Sequence, residues 1–416
     1  MKKLILINPA FGGIINGSVG RVLKFGHPSV FSILEAMTPS DWEVRTYNQP
    51  FKVQYEKGLV GITCFTSNAY SAYKYADKFR KAGAKVVIGG PHVMFRVKEA
   101  LKHCDSVLVG EAEGTWRTIL SDYLTEELKP VYYGESKKDF WKYYHKNFLK
   151  LSDKKKYVAI QPTRGCKFNC KFCMIPVLYD NGLRQVPIDK VVEQIKSIKG
   201  YRKYAIIITD NNLFADSKYC KNLFRALIPL KIKWMSSTSI DIALDEEALR
   251  LAKKSGCRSF NIGFETINEK VIAKNPGKLN LYKDYLMLIK RIKKHKIKIK
   301  GTFIIGFDED TYSSLWKLFI FTLKANLNAS LFSILTPFPG TQLFEEVQRE
   351  GRITSHNWTR YNAFNPVFKH KHISKPAWYV LIVLFRISFL ITTNLGRILL
   401  IILLYSILNW FYCPFC

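Results

Sequence analysis

Twice along this chain, short apolar runs alternate with amphipathic helical segments, and no other feature constrains the fold as strongly. In the first half the runs fall at 4–7, 44–47, 59–63, 86–88 and 107–109, with helical stretches such as 70–82 between them. Runs too continuously apolar to show a period of two are strands covered on both faces, as parallel sheets flanked by helices require. Residues 1–134 are therefore expected to form a doubly wound, Rossmann-like α/β domain with its binding loops at the strand carboxyl ends. A glycine-rich segment at 12–20 and the turn Gly89, Gly90, Pro91, His92 fall at two of those ends.

After a basic, aromatic stretch at 135–156, read as a linker, the alternation resumes. Strands are expected at 157–161, 204–209, 232–238, 259–264, 298–305 and 329–335, and helices near 188–198, 216–227, 245–254, 281–295 and 311–324. Six such units predict a partial TIM-like barrel over 157–345, followed by an extension at 346–375. A cysteine loop follows the first strand, Asp210, Asn211 and Asn212 the second, Ser236 and Ser237 the third, Glu265 the fourth, Asp308 the fifth and Thr336 the sixth. In parallel barrels these ends converge on one mouth, where active sites are built.

Composition narrows the setting. The nine cysteines of the 416 residues follow no even framework, which favours reduced thiols or metal ligands over disulfides. The opening MKKLILINPA is too short an apolar run for a signal peptide, so the chain is expected inside the cell. A formal net charge of +31 asks for an anionic partner, nucleic acid or membrane, unless it is only a set of solvated lysine-rich faces.

Residues 376–416 change character, being nearly all apolar, with Lys375, Arg386 and Arg397 recurring every eleven residues. At ~100° per residue that spacing aligns the three cations to within roughly 20° per step. A helix or broken pair lying in the membrane interface fits this stripe, because charges at bilayer depth are expensive. A hairpin broken at Asn394 and Gly396, or a helix pair closing the barrel bottom, are the competing readings.

The segment QPTRGCKFNCKFC at 161–173 carries the chemistry. Cys166, Cys170 and Cys173 lie within eight residues on a loop leaving a strand, and soft thiolates suit iron–sulfur clusters and zinc. Structural zinc wants a fourth ligand close by, whereas the next cysteines, Cys220 and Cys257, fall in an expected helix and a turn. Three protein ligands leave one iron of a [4Fe–4S] cluster open to a small molecule.

C-x3-C-x2-C with Phe172 before the last cysteine resembles the signature of the radical S-adenosylmethionine (SAM) superfamily. Asp210 to Asn212, Gly263 to Glu265, GTFIIGFDED at 301–310 and TPFPGT at 336–341 resemble later strand-end motifs of its branch with an N-terminal cobalamin-binding domain. VGIT at 60–63, VIGGPH at 87–92 and VGEAEG at 109–114 are similar to that cobalamin module. The resemblance implies a [4Fe–4S] cluster on the three cysteines, and SAM contacts from Phe172, Asp210, Asn211, Gly263, Glu265, Ile305 and Gly306. It further implies cobalamin contacts from Thr63, Gly89, Gly90, Gly110 and Glu111. The D-x-H-x-x-G motif that supplies a cobalt ligand in many cobalamin proteins is absent, and His92 is better read as a turn histidine than as a replacement. Glu265 taken alone reads as well as a barrel-mouth salt bridge.

The expected activity is generation of a 5′-deoxyadenosyl radical, hydrogen abstraction from an unactivated carbon and cobalamin-dependent methylation there. The substrate is expected to be a hydrophobic or lipid-like small molecule met at the inner membrane face, with electrons from a donor such as ferredoxin or flavodoxin. Competing readings are a radical cyclase or carbon-skeleton enzyme, an RNA-modifying radical enzyme, and a non-catalytic, membrane-anchored iron–sulfur or zinc protein. Against nucleic acid, no separate RNA-binding module is visible and the tail is too apolar for that purpose. The terminal pair Cys413 and Cys416 is left without a role.

Overall fold

A computed structural model describes residues 2–10, 29–48, 52–135, 140–143, 157–180, 182–274, 281–374, 376–379 and 381. The glycine-rich segment 12–20, most of the linker 135–156, Arg386, Arg397, Cys413 and Cys416 lie outside them.

The first sheet contains β1 (Lys2–Asn8), β2 (Trp42–Asn48), β3 (Leu59–Thr63), β4 (Lys85–Gly89), β5 (Ser106–Gly110) and β6 (Val131–Gly134) in the order β2-β1-β3-β4-β5-β6. Every pairing is parallel. The order reverses between β1 and β3, so the crevice at their carboxyl ends is where a doubly wound sheet binds its ligand. Helices Ala69–Lys81 and Trp116–Leu124 bury apolar faces on opposite sides, through Phe79 and Trp116. Strand β6 was not expected; four residues at a sheet edge carry too little periodicity to read.

The second sheet holds β7 (Tyr157–Ile160), β10 (Ala205–Ile208), β11 (Lys233–Thr238), β12 (Cys257–Glu265), β13 (Lys298–Ile305) and β14 (Ala329–Ile334), in sequence order and parallel throughout. This is the expected six-unit open barrel. Three of its helices start on side-chain caps: Asp216 accepts from Tyr219 N, Asp245 from Ala248 N and Thr311 from Ser314 N. A two-stranded antiparallel ribbon, β8 (Thr163–Gly165) with β9 (Leu183–Gln185), interrupts the first unit and was not expected.

Two boundaries differ from the expected ones. Helix Gln342–Arg349 runs across residue 345, so barrel and extension are continuous. The extension then returns toward the first sheet, where Trp358, Tyr361, Val367 and Phe368 share a core with β3 and β4. Ala377, Trp378 and Leu381, at the start of the stretch expected to lie on a membrane, are buried in the barrel core. Among the described residues no helix is long and apolar enough to cross a membrane.

Candidate active site

The site starts from the ribbon that launches the cysteine loop. Arg164 faces Arg184 across it, and Gly165, at φ +97°, must be glycine because a Cβ would lie 1.8 Å from the Gly182 carbonyl. The second barrel strand holds this ribbon: Asp210 accepts from Thr163 N at 2.9 Å and Asn211 from Gly165 N at 3.4 Å. These two expected SAM contacts thus brace the loop through their side chains. Asp210 is buried, its second oxygen has no partner, and burial pushes its pKa up to about 7 against the opposing Thr163 hydrogen bond.

Cys166, Cys170 and Cys173 are each partly exposed. Donors are aimed at two of the sulfurs: Asn212 Nδ2 lies 3.9 Å from Cys166 Sγ and Ile175 N 3.5 Å from Cys173 Sγ. The orientation of the Asn212 amide is set by its oxygen, which accepts from Ser239 N at 3.0 Å. Lys167 pairs with Asp241 at 2.7 Å, and Asp241 in turn accepts from Ser239. Hydrogen-bond donors aimed at the sulfurs tune a cluster bound through them. Among the described residues no three His, Cys, Asp or Glu side chains converge to hold one metal ion, as a closed zinc shell requires. A cubane differs in placing each thiolate on its own iron, and three sulfurs on one partly exposed loop fit that demand.

Two further strand ends frame the loop. In β12 the register slips between Gly263 and Glu265, and Glu265 sits at φ +62°, a left-handed conformation that costs a non-glycine residue energy and marks functional sites. Its carboxylate folds over Gly263, where a Cβ would approach Oε1 to 2.3 Å. In β13 Ile305 is buried and Gly306, at φ +106°, turns the chain. Asp310 fixes that turn by accepting from Gly306 N at 2.9 Å and Phe307 N at 3.1 Å. The Phe307 ring meets Phe172 edge-on at 5.7 Å, joining β13 to the cysteine loop.

The first sheet approaches the same loop. Thr63 pairs with Gly89, and Gly90 at φ +116° lets the two strand ends interlock, since a Cβ there would lie 2.8 Å from the Cys64 carbonyl. Gly110 is also in a positive-φ turn, with the Gly134 carbonyl where a Cβ would go. Glu111, an expected cobalamin contact, is engaged elsewhere: it accepts from Arg164 at 2.8 Å and from Arg184 at 2.7 and 2.8 Å. Glu113 pairs with Arg164, and both guanidinium groups lie over the Phe140 ring. Burial raises the Glu111 pKa, but the two arginines outweigh it and hold the carboxyl below its ordinary range. His92 is buried, with Nδ1 3.3 Å from Thr66 Oγ1 and its ring edge-on to Trp358, as a packed turn histidine.

Arg164, Glu113, Asn212 and Asp310 stood inside motifs read from the sequence but were given no role of their own, and Arg184 was not singled out. For those four, membership of a motif at a strand end or ligand loop was the available signal; Arg184 carried none.

The description "Radical SAM superfamily" matches residues 160–321. Bacteriochlorophyllide d C-12(1)-methyltransferase of Chlorobaculum tepidum is 32% identical over 76% of this chain and 71% of its own. Bacteriochlorophyllide d C-8(2)-methyltransferase of the same organism is 31% identical over 81% and 79%. The cobalamin-dependent S-adenosylmethionine radical enzyme OxsB, solved with aqua-cobalamin and S-adenosylmethionine, shares the fold at a TM-score of 0.67 and 11% identity, over 98% of this chain and 71% of that one. The chain is an enzyme of the radical SAM superfamily. It belongs within it to the branch carrying an N-terminal cobalamin-binding-type domain.

Proposed function

We propose that this enzyme methylates an unactivated carbon of a hydrophobic or lipid-like substrate, using a [4Fe–4S] cluster on Cys166, Cys170 and Cys173 together with SAM and cobalamin. The reading is carried by one juxtaposition: the strand ends of the first sheet are tied by Glu111 and Glu113 to the arginine next but one before Cys166. When bound, the cluster and SAM supply a hydrogen-abstracting 5′-deoxyadenosyl radical, and cobalamin supplies the methyl group.

The chain's own part is ligation, orientation and shielding. Asp210 and Asn211 hold the loop that presents the three thiolates, and Asn212 directs a donor at Cys166. Glu265, strained at its strand end, is placed to accept hydrogen bonds from the amino or ribose hydroxyl groups of SAM, with Gly263 leaving room for it. The strand end at Ile305 and Gly306, and the backbone at Phe172, would line the adenine. Thr63, Gly89, Gly90 and Gly110 offer a side-chain-poor floor for a corrin, while Glu111 acts as the tie between sheets. Electrons would come from a ferredoxin- or flavodoxin-like donor. The apolar tail and excess positive charge support association with the inner face of an anionic membrane.

The test is anaerobic reconstitution of the full chain with iron, sulfide and cobalamin. Reductive cleavage of SAM is expected in the wild type and not in Cys166→Ala, and methyl-labelled SAM is expected to label a lipid-extract product. Cleavage without methyl transfer would favour a cyclase-type reaction.

A further inference from the structure

Behind the β13 strand end, the extension lines a half-open cavity of about 400 Å³ that none of the roles above uses. Its floor is apolar, formed in part by the buried side chains of Phe368, Ile373 and Trp378. Its rim is polar and carries the positive charge of Lys369 and Lys371, with His372 beside them; all three line it and are exposed. Among the described residues no acidic one lines it. The nearby Asp308 is already matched, by Arg352 through two hydrogen bonds of 2.8 and 2.7 Å and by Lys371 at 3.2 Å. Lys369 makes no ion pair among the described residues.

The wall is rigid because His370 is locked. Its Nε2 donates to the Phe307 carbonyl at 2.7 Å, and its Nδ1 accepts from His372 N and Ile373 N at 3.0 Å each. That pattern needs the neutral ring, and burial lowers the His370 pKa accordingly. The same residues connect the cavity to the mouth: Trp378 packs where a Cβ on Gly306 would lie, 3.3 Å away, and Phe307 touches Phe172.

We propose that this cavity binds an amphiphilic anion, its apolar body against Phe368, Ile373 and Trp378 and its carboxylate or phosphate at the rim of Lys369 and His372. Apolar walls with a few convergent polar groups are what small-molecule sites of this size present. The inference rests on the proposed function in assigning the occupant as substrate, and it narrows that substrate to an acid.

The experiment titrates dodecanoate, dodecyl phosphate and dodecanol, each below its micellar range, into the anaerobically reconstituted full chain. Tryptophan emission reports binding. Both anions are expected to bind roughly tenfold tighter than the alcohol, the worth of one charge-assisted hydrogen bond. The preference should shrink as salt rises. The ratio between the two anions tells a carboxylate site from a phosphate site. In the Lys369→Glu/His372→Glu variant the preference should vanish, and Lys369→Arg should keep it; both positions are exposed, so the core is untouched. Equal affinity for all three probes, or a preference that survives the double variant, overturns the proposal. SAM cleavage by the same wild-type preparation is read separately. Cleavage without anion preference removes the cavity assignment alone, and preference without cleavage supports the cavity while removing the radical chemistry.

Discussion

Asp210 is a carboxyl kept inside the barrel with one of its oxygens unpartnered, and that sets a pH dependence. In the unfolded chain it ionises near its ordinary 3.8, whereas burial raises it to about 7 in the native state. Between those values the native state holds the extra proton, so stability falls as pH rises through about 4 to 7 and levels off above. Asp310, raised by burial to about 6, adds a term of the same sign. Asp210→Asn, which keeps an acceptor for Thr163 N, is expected to flatten this slope in guanidinium unfolding. The ceiling on its contribution is about 4 kcal/mol. A variant with an unchanged slope would show that Asp210 ionises normally. Glu265 belongs to the same scale. Glu265→Gln is expected to weaken SAM binding roughly tenfold, one charge-assisted hydrogen bond, at unchanged cluster content. Gly263→Ala should act in the same direction by displacing the carboxylate. Equilibrium dialysis against labelled SAM measures both, and wild-type affinity in both variants would remove Glu265 from the SAM site.

The ribbon β8–β9 is the element on which the two halves meet. Its arginines sit opposite each other in register and would repel without Glu111 and Glu113, which supply two buried negative charges against two positive. Breaking a buried pair from one side leaves an uncompensated charge and costs about 3–5 kcal/mol. Glu111→Gln is therefore expected to destabilise the protein by roughly that amount, and to lower the iron bound per chain after reconstitution because the ribbon carries the cysteine loop. Unaltered stability with full iron would mean that the first sheet does not position the loop. None of this was legible in the sequence. The long parallel strands were, because a strand buried on both faces writes a continuous apolar run; a three-residue strand writes no pattern, and an ion pair across fifty residues writes none either. The cysteine spacing was legible for the opposite reason, since ligation of one cluster forces its donors close together along the chain. Asp210 and Asn211 were located correctly at their strand end, but which polar group their side chains meet depends on the unexpected ribbon.

Across the whole molecule, the chain after the barrel serves both cores. Trp358 packs on His92 and donates to Glu99 at 2.9 Å in the first domain, while Trp378 closes on Gly306 in the barrel. The apolar character of 376–416 was plain from composition, but composition could not show that its first residues are buried in the barrel core. Burial in protein reaches at least to Leu381. Two truncations separate the roles. A chain ending at 381 keeps every described core residue, so it should retain its cluster and uncoupled SAM cleavage. A chain ending at 374 loses Ala377, Trp378 and Leu381 from the barrel core. Removing one large buried side chain alone costs about 3–5 kcal/mol, so this form should unfold at markedly lower denaturant or fail to hold iron. Membrane association is read by sedimentation with vesicles containing anionic lipid. If the tail is the anchor, the 381 form loses binding at physiological salt while the full chain keeps part of it in high salt, because apolar insertion is not screened. If the 381 form binds as well as the full chain and both are released by salt, the lysine-rich surface alone is responsible, and the interfacial helix drawn from the eleven-residue cation spacing is wrong.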